Sequence, residues 1–128
     1  MSLSILRIVL VLFALLNAVI GLAALTVPRR LAGAIGYELT DTAAFGEMRA
    51  VYGGLFLALG VAVALALQRH DGAGWLMALG VLYVGLASGR LISALLDGPV
   101  RYTLITLLVE VGGAALLIYS SLRLEDVG

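Results

Sequence analysis

Four long runs of apolar residues, each close to the length that crosses a lipid bilayer, constrain this chain more than any other feature. A spanning helix needs about 20 mostly apolar residues. Four segments meet this requirement, at about residues 5–27, 47–67, 73–96 and 100–122. Backbone polar groups cannot stay unpaired in lipid, so these segments must be helical. The sequence therefore predicts an all-α integral membrane protein, a single domain over residues 1–128 folded as a four-helix transmembrane bundle.

The composition supports a membrane protein and excludes several kinds of site. Hydrophobic residues make up 62% of the 128 residues and charged residues only 12%, whereas a soluble domain has about 25% charged residues. The formal net charge is zero, which gives no reason to expect a nucleic-acid partner. There is no cysteine, so disulfides and thiolate metal sites are excluded. We predict no metal site and no cofactor, because no set of His, Asp and Glu residues has the spacing of metal ligands.

The length of the first apolar run and the residues between the runs allow further predictions. The first run, residues 8–27, is 20 residues long, whereas the apolar core of a signal peptide has about 7–15. We therefore expect an uncleaved first helix. Asp71 is expected to cap the third span, with Trp75 as an anchor at the membrane interface. The arginines divide too evenly between the two sides for the orientation to be predicted.

The few polar residues inside the apolar runs are predicted to meet in one half of the bundle. At a rise of about 1.5 Å per residue, Arg90 lies roughly 9 Å from the end of its span, and Glu110 roughly 15 Å into the next span from the same side. An ion near the bilayer centre costs at least about 2.5–3.5 kcal/mol, so Glu110 must be paired, protonated or hydrated. We predict an Arg90–Glu110 ion pair. The other members of this intramembrane polar cluster are Arg49, Tyr52 and Asn17.

Two further sets of residues surround the predicted cluster. Its rim is formed by Glu47, Ser93 and Asp97. Small residues beside the charges are expected to let helices approach closely; they are Gly53, Gly54, Gly60, Gly85, Gly89, Gly112 and Gly113. The sequence leaves two pairings open, because Asp97 is a second candidate partner for Arg90 and Arg49 is a second candidate for Glu110.

Three stretches carry a resemblance to a known family: RAVYGGLFLALG (49–60), SGRLISALLDG (88–98) and the glutamate at 110. They resemble the DUF4345 family, small four-helix bacterial membrane proteins of unknown function, and more distantly DoxX-like four-helix membrane proteins. The resemblance covers the second to fourth spans. It implies a location in the bacterial cytoplasmic membrane and no particular reaction. By motif it carries over Arg49, Tyr52, Gly53, Gly54, Gly89, Arg90, Asp97, Gly98 and Glu110.

These features favour one function over two others. We first expect a non-enzymatic accessory subunit that packs against a larger envelope complex, such as a lipid or solute transporter or an electron-transfer assembly. The alternative is a protein that binds or transports a small anion, a quinone or a lipid headgroup at the Arg/Glu cluster. An enzyme is the weakest hypothesis, since no nucleophile or substrate can be named beside Glu110. A purely structural interpretation is an ion pair that only fixes the helix register.

Overall fold

All regular structure in the described part of the chain, residues 1–125, is helical. In the computed structural model the elements are α1 (Leu3–Thr26), α2 (Pro28–Ala34), α3 (Thr42–Glu47), a π-helix named π1 (Met48–Leu55), α4 (Phe56–Ala66), α5 (Gly72–Leu96) and α6 (Arg101–Glu125). Because α3, π1 and α4 follow without a break, four helices are long and apolar enough to cross a membrane. The prediction of an all-α chain with four candidate membrane spans is confirmed.

The chain forms two compact units. The first extends from Met1 to Ala64 and contains α1, α2, α3, π1 and most of α4. The second begins at Leu65 and contains α5 and α6. Large apolar side chains are exposed along all four long helices, as for Leu95 at 75% and Leu108 at 73%. An apolar outer surface of this kind suits lipid as the surrounding solvent.

In the first unit, α1 runs antiparallel to the second span, and the two backbones almost touch. A Cβ atom on Gly21 would lie 2.6 Å from the backbone nitrogen of Leu57, and one on Gly60 would lie 2.6 Å from the carbonyl oxygen of Ala14. Both distances are shorter than real Cβ contacts. Glycine is therefore required at these two crossings, as is common where membrane helices pack closely.

The connection between the first two spans is more ordered than the sequence indicates. Pro28 begins the short helix α2, where its missing N–H costs nothing. Ala32 of α2 packs against Met48 in a small apolar core. The second span then begins at Thr42 rather than near residue 47. Its start is set by Asp41, whose Oδ1 accepts a 2.8 Å hydrogen bond from the backbone N–H of Ala44.

In the second unit, α5 and α6 form an antiparallel pair joined by a tight turn. Gly98 in this turn has a φ of +96°, a conformation that favours glycine. A Cβ atom on Gly80 would lie 2.6 Å from Cγ1 of Ile118. Nearer the start of α5, the Ser121 hydroxyl donates a 2.8 Å hydrogen bond to the carbonyl of Ala73. These contacts fix the register in which α5 faces α6.

The turn between α4 and α5 contains a two-point ion pair between Arg69 and Asp71. The Arg69 Nε donates to Oδ1 at 2.6 Å, and Nη2 donates to Oδ2 at 2.9 Å. The guanidinium also lies 5.3 Å from the centre of the Trp75 ring. Asp71 is at the N-cap position of α5 but makes no capping hydrogen bond, because Arg69 engages both of its oxygens. The predicted N-cap position of Asp71 is confirmed, but its carboxylate bonds to Arg69 across the turn and does not cap the helix.

This turn gives a testable pH dependence. Hydrogen bonding to Arg69 lowers the pKa of Asp71 from its ordinary value of 3.8 to about 2. A carboxyl with a lowered folded-state pKa contributes fully above its ordinary pKa, and the contribution is lost as the pH falls through about 2. The effect on stability is small because both groups are exposed. We expect NMR titration of Asp71 to show a higher midpoint in Arg69→Gln; equal midpoints would contradict this assignment.

Candidate functional site

The strongest polar feature of the described chain is an ion pair between α5 and α6. The Arg90 Nε donates to the Glu110 Oε1 at 2.6 Å. The Glu110 side chain is only 7% exposed and that of Arg90 is 21% exposed. The predicted Arg90–Glu110 ion pair is confirmed. Asp97, the other candidate partner, instead accepts a 2.9 Å hydrogen bond from the hydroxyl of Ser93.

Only one oxygen of the Glu110 carboxylate is used by this pair. Oε2 is buried and has no hydrogen-bond partner among the described residues. Buried polar atoms are nearly always hydrogen-bonded in folded proteins, and leaving one unsatisfied costs about 1–3 kcal/mol. Glu110 therefore presents an acceptor that the described chain does not fill.

The guanidinium of Arg90 is held from a second direction by an aromatic ring. Its Cζ lies 5.5 Å from the centre of the Tyr102 ring, which is within the range of a cation–π interaction. Tyr102 is on α6, eight positions before Glu110 and near the start of that helix. Tyr102 is not part of the cluster predicted from the sequence, and about two helical turns separate it from Glu110. A long arginine side chain from α5 reaches both.

An apolar groove lies on the same two helices at the level of the ion pair. Its volume is about 260 Å³. Leu91 follows Arg90 directly and Val111 follows Glu110, and both line the groove. The remaining lining residues are Val84, Ala87, Ser88, Leu107 and Ala114. The groove thus lies on the same two helices as the ion pair and is lined by the residue that follows each member of the pair, while Arg90 and Glu110 themselves are not part of its wall.

The predicted cluster members of the first unit take part in aromatic contacts. Arg49 Cζ lies 5.7 Å from the centre of the Phe45 ring, and Arg29 Cζ lies 4.9 Å from the same centre. Tyr52 stacks on Phe56 with centroids 5.9 Å apart and planes 2° from parallel. Glu110 pairs with Arg90, and Arg49 forms no ion pair with a carboxylate of the described chain.

Asn17, which was expected to donate a hydrogen bond to the cluster, donates one to its own helix. Its Nδ2 contacts the carbonyl oxygen of Phe13 at 2.9 Å, and the residue is 1% exposed. Glu47, a predicted rim residue, lines an interfacial cavity of the first unit together with Tyr52. The other rim residues, Ser93 and Asp97, bond to each other at the end of α5.

The spacing of an α-helix does not hold through the stretch RAVYGG (49–54), since residues Met48–Leu55 form a π-helix. A π-helix has a wider turn than an α-helix, and short π segments occur frequently at functional sites. The π-helix was not predicted from the sequence, which gave only a helical second span. Paired glycines at 53 and 54 are the only local signal, and they are also common in ordinary membrane helices.

Some of the glycines predicted to pack helices contact a neighbouring helix closely, whereas others are open. In the first unit, Gly53 and Gly60 are in close contact with α1, while a Cβ atom on Gly54 would meet only the Arg49 carbonyl oxygen, at 3.8 Å. Gly113 is buried on α6. A Cβ atom on any of the others would meet no described atom within 4 Å. These open positions are Gly85, Gly89 and Gly112.

A metal site has no support in the described residues, where no three His, Cys, Asp or Glu side chains are grouped as a metal ion would need. The only His, His70, is in the exposed turn before α5.

Comparison with known proteins identifies the family. The family model DUF4345, described as a domain of unknown function, matches residues 5–120. This match includes the first span and the connection after it, which the sequence resemblance did not cover. No curated protein and no solved structure gave a significant match. Because the family model covers most of the chain, the protein belongs to the DUF4345 family.

Proposed function

We propose that this protein is a non-enzymatic membrane protein that binds a lipid-like molecule at the Arg90–Glu110 ion pair. The observation that carries the proposal is the buried Oε2 of Glu110, which has no partner among the described residues. Ionisable residues inside a membrane are costly and commonly mark ligand or ion sites. A pair that served only to fix the helix register would be expected to satisfy both carboxylate oxygens.

The two ends of the pair define the chemistry of the ligand head. The Arg90 guanidinium supplies a positive charge beside Glu110, which favours a ligand head that carries oxygen atoms. Glu110 Oε2 can accept from a ligand hydroxyl or N–H. A small anion without a proton to donate would be repelled by this carboxylate. A quinone/quinol or a lipid headgroup with a hydroxyl or amine fits better.

The apolar groove on α5 and α6 favours a ligand that has an apolar tail. Binding sites for small molecules are mostly apolar with a few placed polar groups. Here the groove of about 260 Å³ supplies the apolar part, and the Arg90–Glu110 pair supplies the polar groups. A molecule with its head at the pair and part of its chain against Leu91 and Val111 would satisfy both. The four α-helical spans also support our proposal of a bacterial cytoplasmic membrane, since bacterial outer-membrane proteins are typically β-barrels.

A binding titration tests this function. The purified chain in detergent would be titrated with a short-chain ubiquinone and, separately, with a phosphatidylglycerol. We expect saturable binding of at least one, weakened about tenfold or more by Glu110→Gln, because a hydrogen bond to a charged group contributes about 1.5–3 kcal/mol. Glu125→Gln, which changes an exposed carboxylate, is the matched control. Equal affinity in the wild type and Glu110→Gln would contradict the proposal.

The groove can be tested separately from the pair. Ala87→Phe places a ring in the groove without changing either charge. We expect it to weaken binding of a long-chain ligand more than binding of the same head with a short chain. An equal loss for both chain lengths would indicate that the tail does not occupy the groove.

A second candidate function is an accessory subunit of a larger membrane complex. The observation that favours it is a set of three open glycines in the second unit, Gly85 and Gly89 about one turn apart on α5 and Gly112 on α6. Small residues on membrane helices allow close helix contacts, and no described helix approaches these three positions within 4 Å. A lipid or solute transporter, or an electron-transfer assembly, would provide such a helix.

The accessory role has its own test. A tagged chain would be purified from native membranes in mild detergent, alongside the variant Gly85→Leu/Gly89→Leu. We expect a stoichiometric membrane partner that is present with the wild type and lost with the variant. A chain recovered without a partner, or a partner retained equally by the variant, would contradict this role.

A further inference from the structure

We propose that the first unit binds an organic ammonium cation in a cavity at the start of the second span. The cavity has a volume of about 410 Å³, within the usual range of about 300–1,000 Å³ for small-molecule sites. Its wall contains two tyrosines and two glutamates, together with apolar side chains. The lining residues that matter here are Tyr37, Glu38, Glu47, Met48, Val51 and Tyr52. This site uses none of the residues of the Arg90–Glu110 pair.

The tyrosines give the cavity an aromatic corner. The rings of Tyr37 and Tyr52 are 6.2 Å apart, with planes at 73°. Two aromatic rings at a steep angle can contact a ligand from two sides. Aromatic faces attract ammonium groups, and quaternary ammonium ions are recognised in this way. The stack of Tyr52 on Phe56 holds one of the two rings in place.

The glutamates provide negative charge that forms no ion pair within the described part of the chain. Two arginines of the first unit, Arg29 and Arg49, lie over the ring of Phe45. Neither Glu38 nor Glu47 forms an ion pair within residues 1–125, and no basic residue is part of the cavity wall. The cavity therefore combines two unpaired carboxylates with two aromatic rings.

Two carboxylates and two aromatic rings suit an organic ammonium ion better than a metal ion. A hard metal ion needs several oxygen ligands around one point, and the described chain contains no such group. An alkylammonium ion needs a carboxylate, an aromatic ring and apolar contacts for its carbon atoms. Met48 and Val51 supply the last of these. The cation is either a free amine or the amine headgroup of a phospholipid, since both present the same chemistry.

The binding experiment uses the full chain in phosphatidylglycerol nanodiscs, with NMR of the tyrosine ring signals. Choline chloride is the probe, and sodium chloride at the same ionic strength is the reference. We expect a saturable shift with choline only. In Glu38→Gln/Glu47→Gln the affinity should fall about tenfold or more, because two charged partners are lost. Both glutamates are exposed, so this variant is expected to fold, and Glu125→Gln should bind as the wild type does.

A tyrosine variant tests the aromatic contribution. Tyr37→Phe keeps the ring and should keep choline binding, whereas Tyr37→Leu removes the ring and should weaken it several-fold. A shift that sodium chloride reproduces would overturn the proposal. So would equal binding by the glutamate double variant, or equal binding by Tyr37→Leu and Tyr37→Phe.

Lipid composition separates the two sources of the cation. If the natural ligand is a lipid headgroup, phosphatidylethanolamine in the nanodisc should compete with choline and lower its apparent affinity. If it is a free amine, choline should bind equally with and without phosphatidylethanolamine. Absence of saturable choline binding in phosphatidylglycerol nanodiscs would overturn the proposal for a lipid headgroup and for a free amine alike.

Discussion

Replacing Arg90 by leucine is expected to destabilise the protein by about 3–5 kcal/mol, because it leaves the Glu110 carboxylate buried without its partner. The side chain of Glu110 is 7% exposed, and among the described residues its one side-chain hydrogen bond comes from Arg90. Reversible unfolding in mixed micelles would measure the change. Arg49→Leu is the matched control, since Arg49 contacts the face of Phe45 and should cost only about 0.5–1 kcal/mol.

The double variant shows whether the two charges act together. Arg90→Leu/Glu110→Leu removes both ions and is expected to be more stable than either single variant, since a buried pair can often be replaced by apolar residues at little cost. Losses that simply add would contradict a direct interaction between the two side chains.

The substitution Gly21→Val is expected to have the second large effect. Its Cβ would lie 2.6 Å from the Leu57 nitrogen and 2.8 Å from the Gly53 carbonyl oxygen, and backbone atoms cannot move away as a flexible side chain can. Overpacking of this kind costs about 1–3 kcal/mol and occasionally more. Thermal unfolding in detergent would show a clearly lower midpoint.

Gly85→Val is the control for this crossing. It introduces the same side chain on a membrane helix, at a position where no described atom lies within 4 Å. We expect it to be nearly as stable as the wild type. Equal destabilisation by Gly21→Val and Gly85→Val would show that the loss comes from valine in a helix rather than from the contact between α1 and the second span.

The spans and the central ion pair could be predicted because bilayer physics leaves few alternatives. An apolar run of about 20 residues in lipid must be helical, and its ends follow from composition to within a few residues. A carboxylate inside such a helix must find a partner. Counting the rise per residue placed Arg90 and Glu110 within reach of each other, which made their pairing the first prediction while Asp97 and Arg49 stayed open as alternative partners.

The surroundings of the pair could not be predicted in the same way. Glycine in a membrane helix indicates close packing somewhere, but it does not indicate which neighbour is present. Gly60 meets a backbone, whereas Gly85 is open. Similarly, the long side chain of Arg49 can reach several partners. It lies over the ring of Phe45, which belongs to the six-residue helix α3. The sequence predicts a second span that begins only at about residue 47, so this helix was not expected.

The aromatic corner was missed for a related reason. Tyr37 and Tyr52 are separated by the whole of α3 and the start of π1. Their contact depends on how the connection folds back and on the wide turn of the π-helix. Neither property has a strong local pattern in the sequence, because the residues of π1 are also good α-helix formers in a membrane.

Native mass spectrometry of the chain purified from its own membranes, without added lipid, tests the central proposal most directly. We predict a single small amphiphile bound to the wild-type chain, absent or strongly reduced in Glu110→Gln, and retained in the control Glu125→Gln. Ions of the wild type without any bound molecule, or the same molecule retained equally by Glu110→Gln, would contradict a ligand site at the Arg90–Glu110 pair.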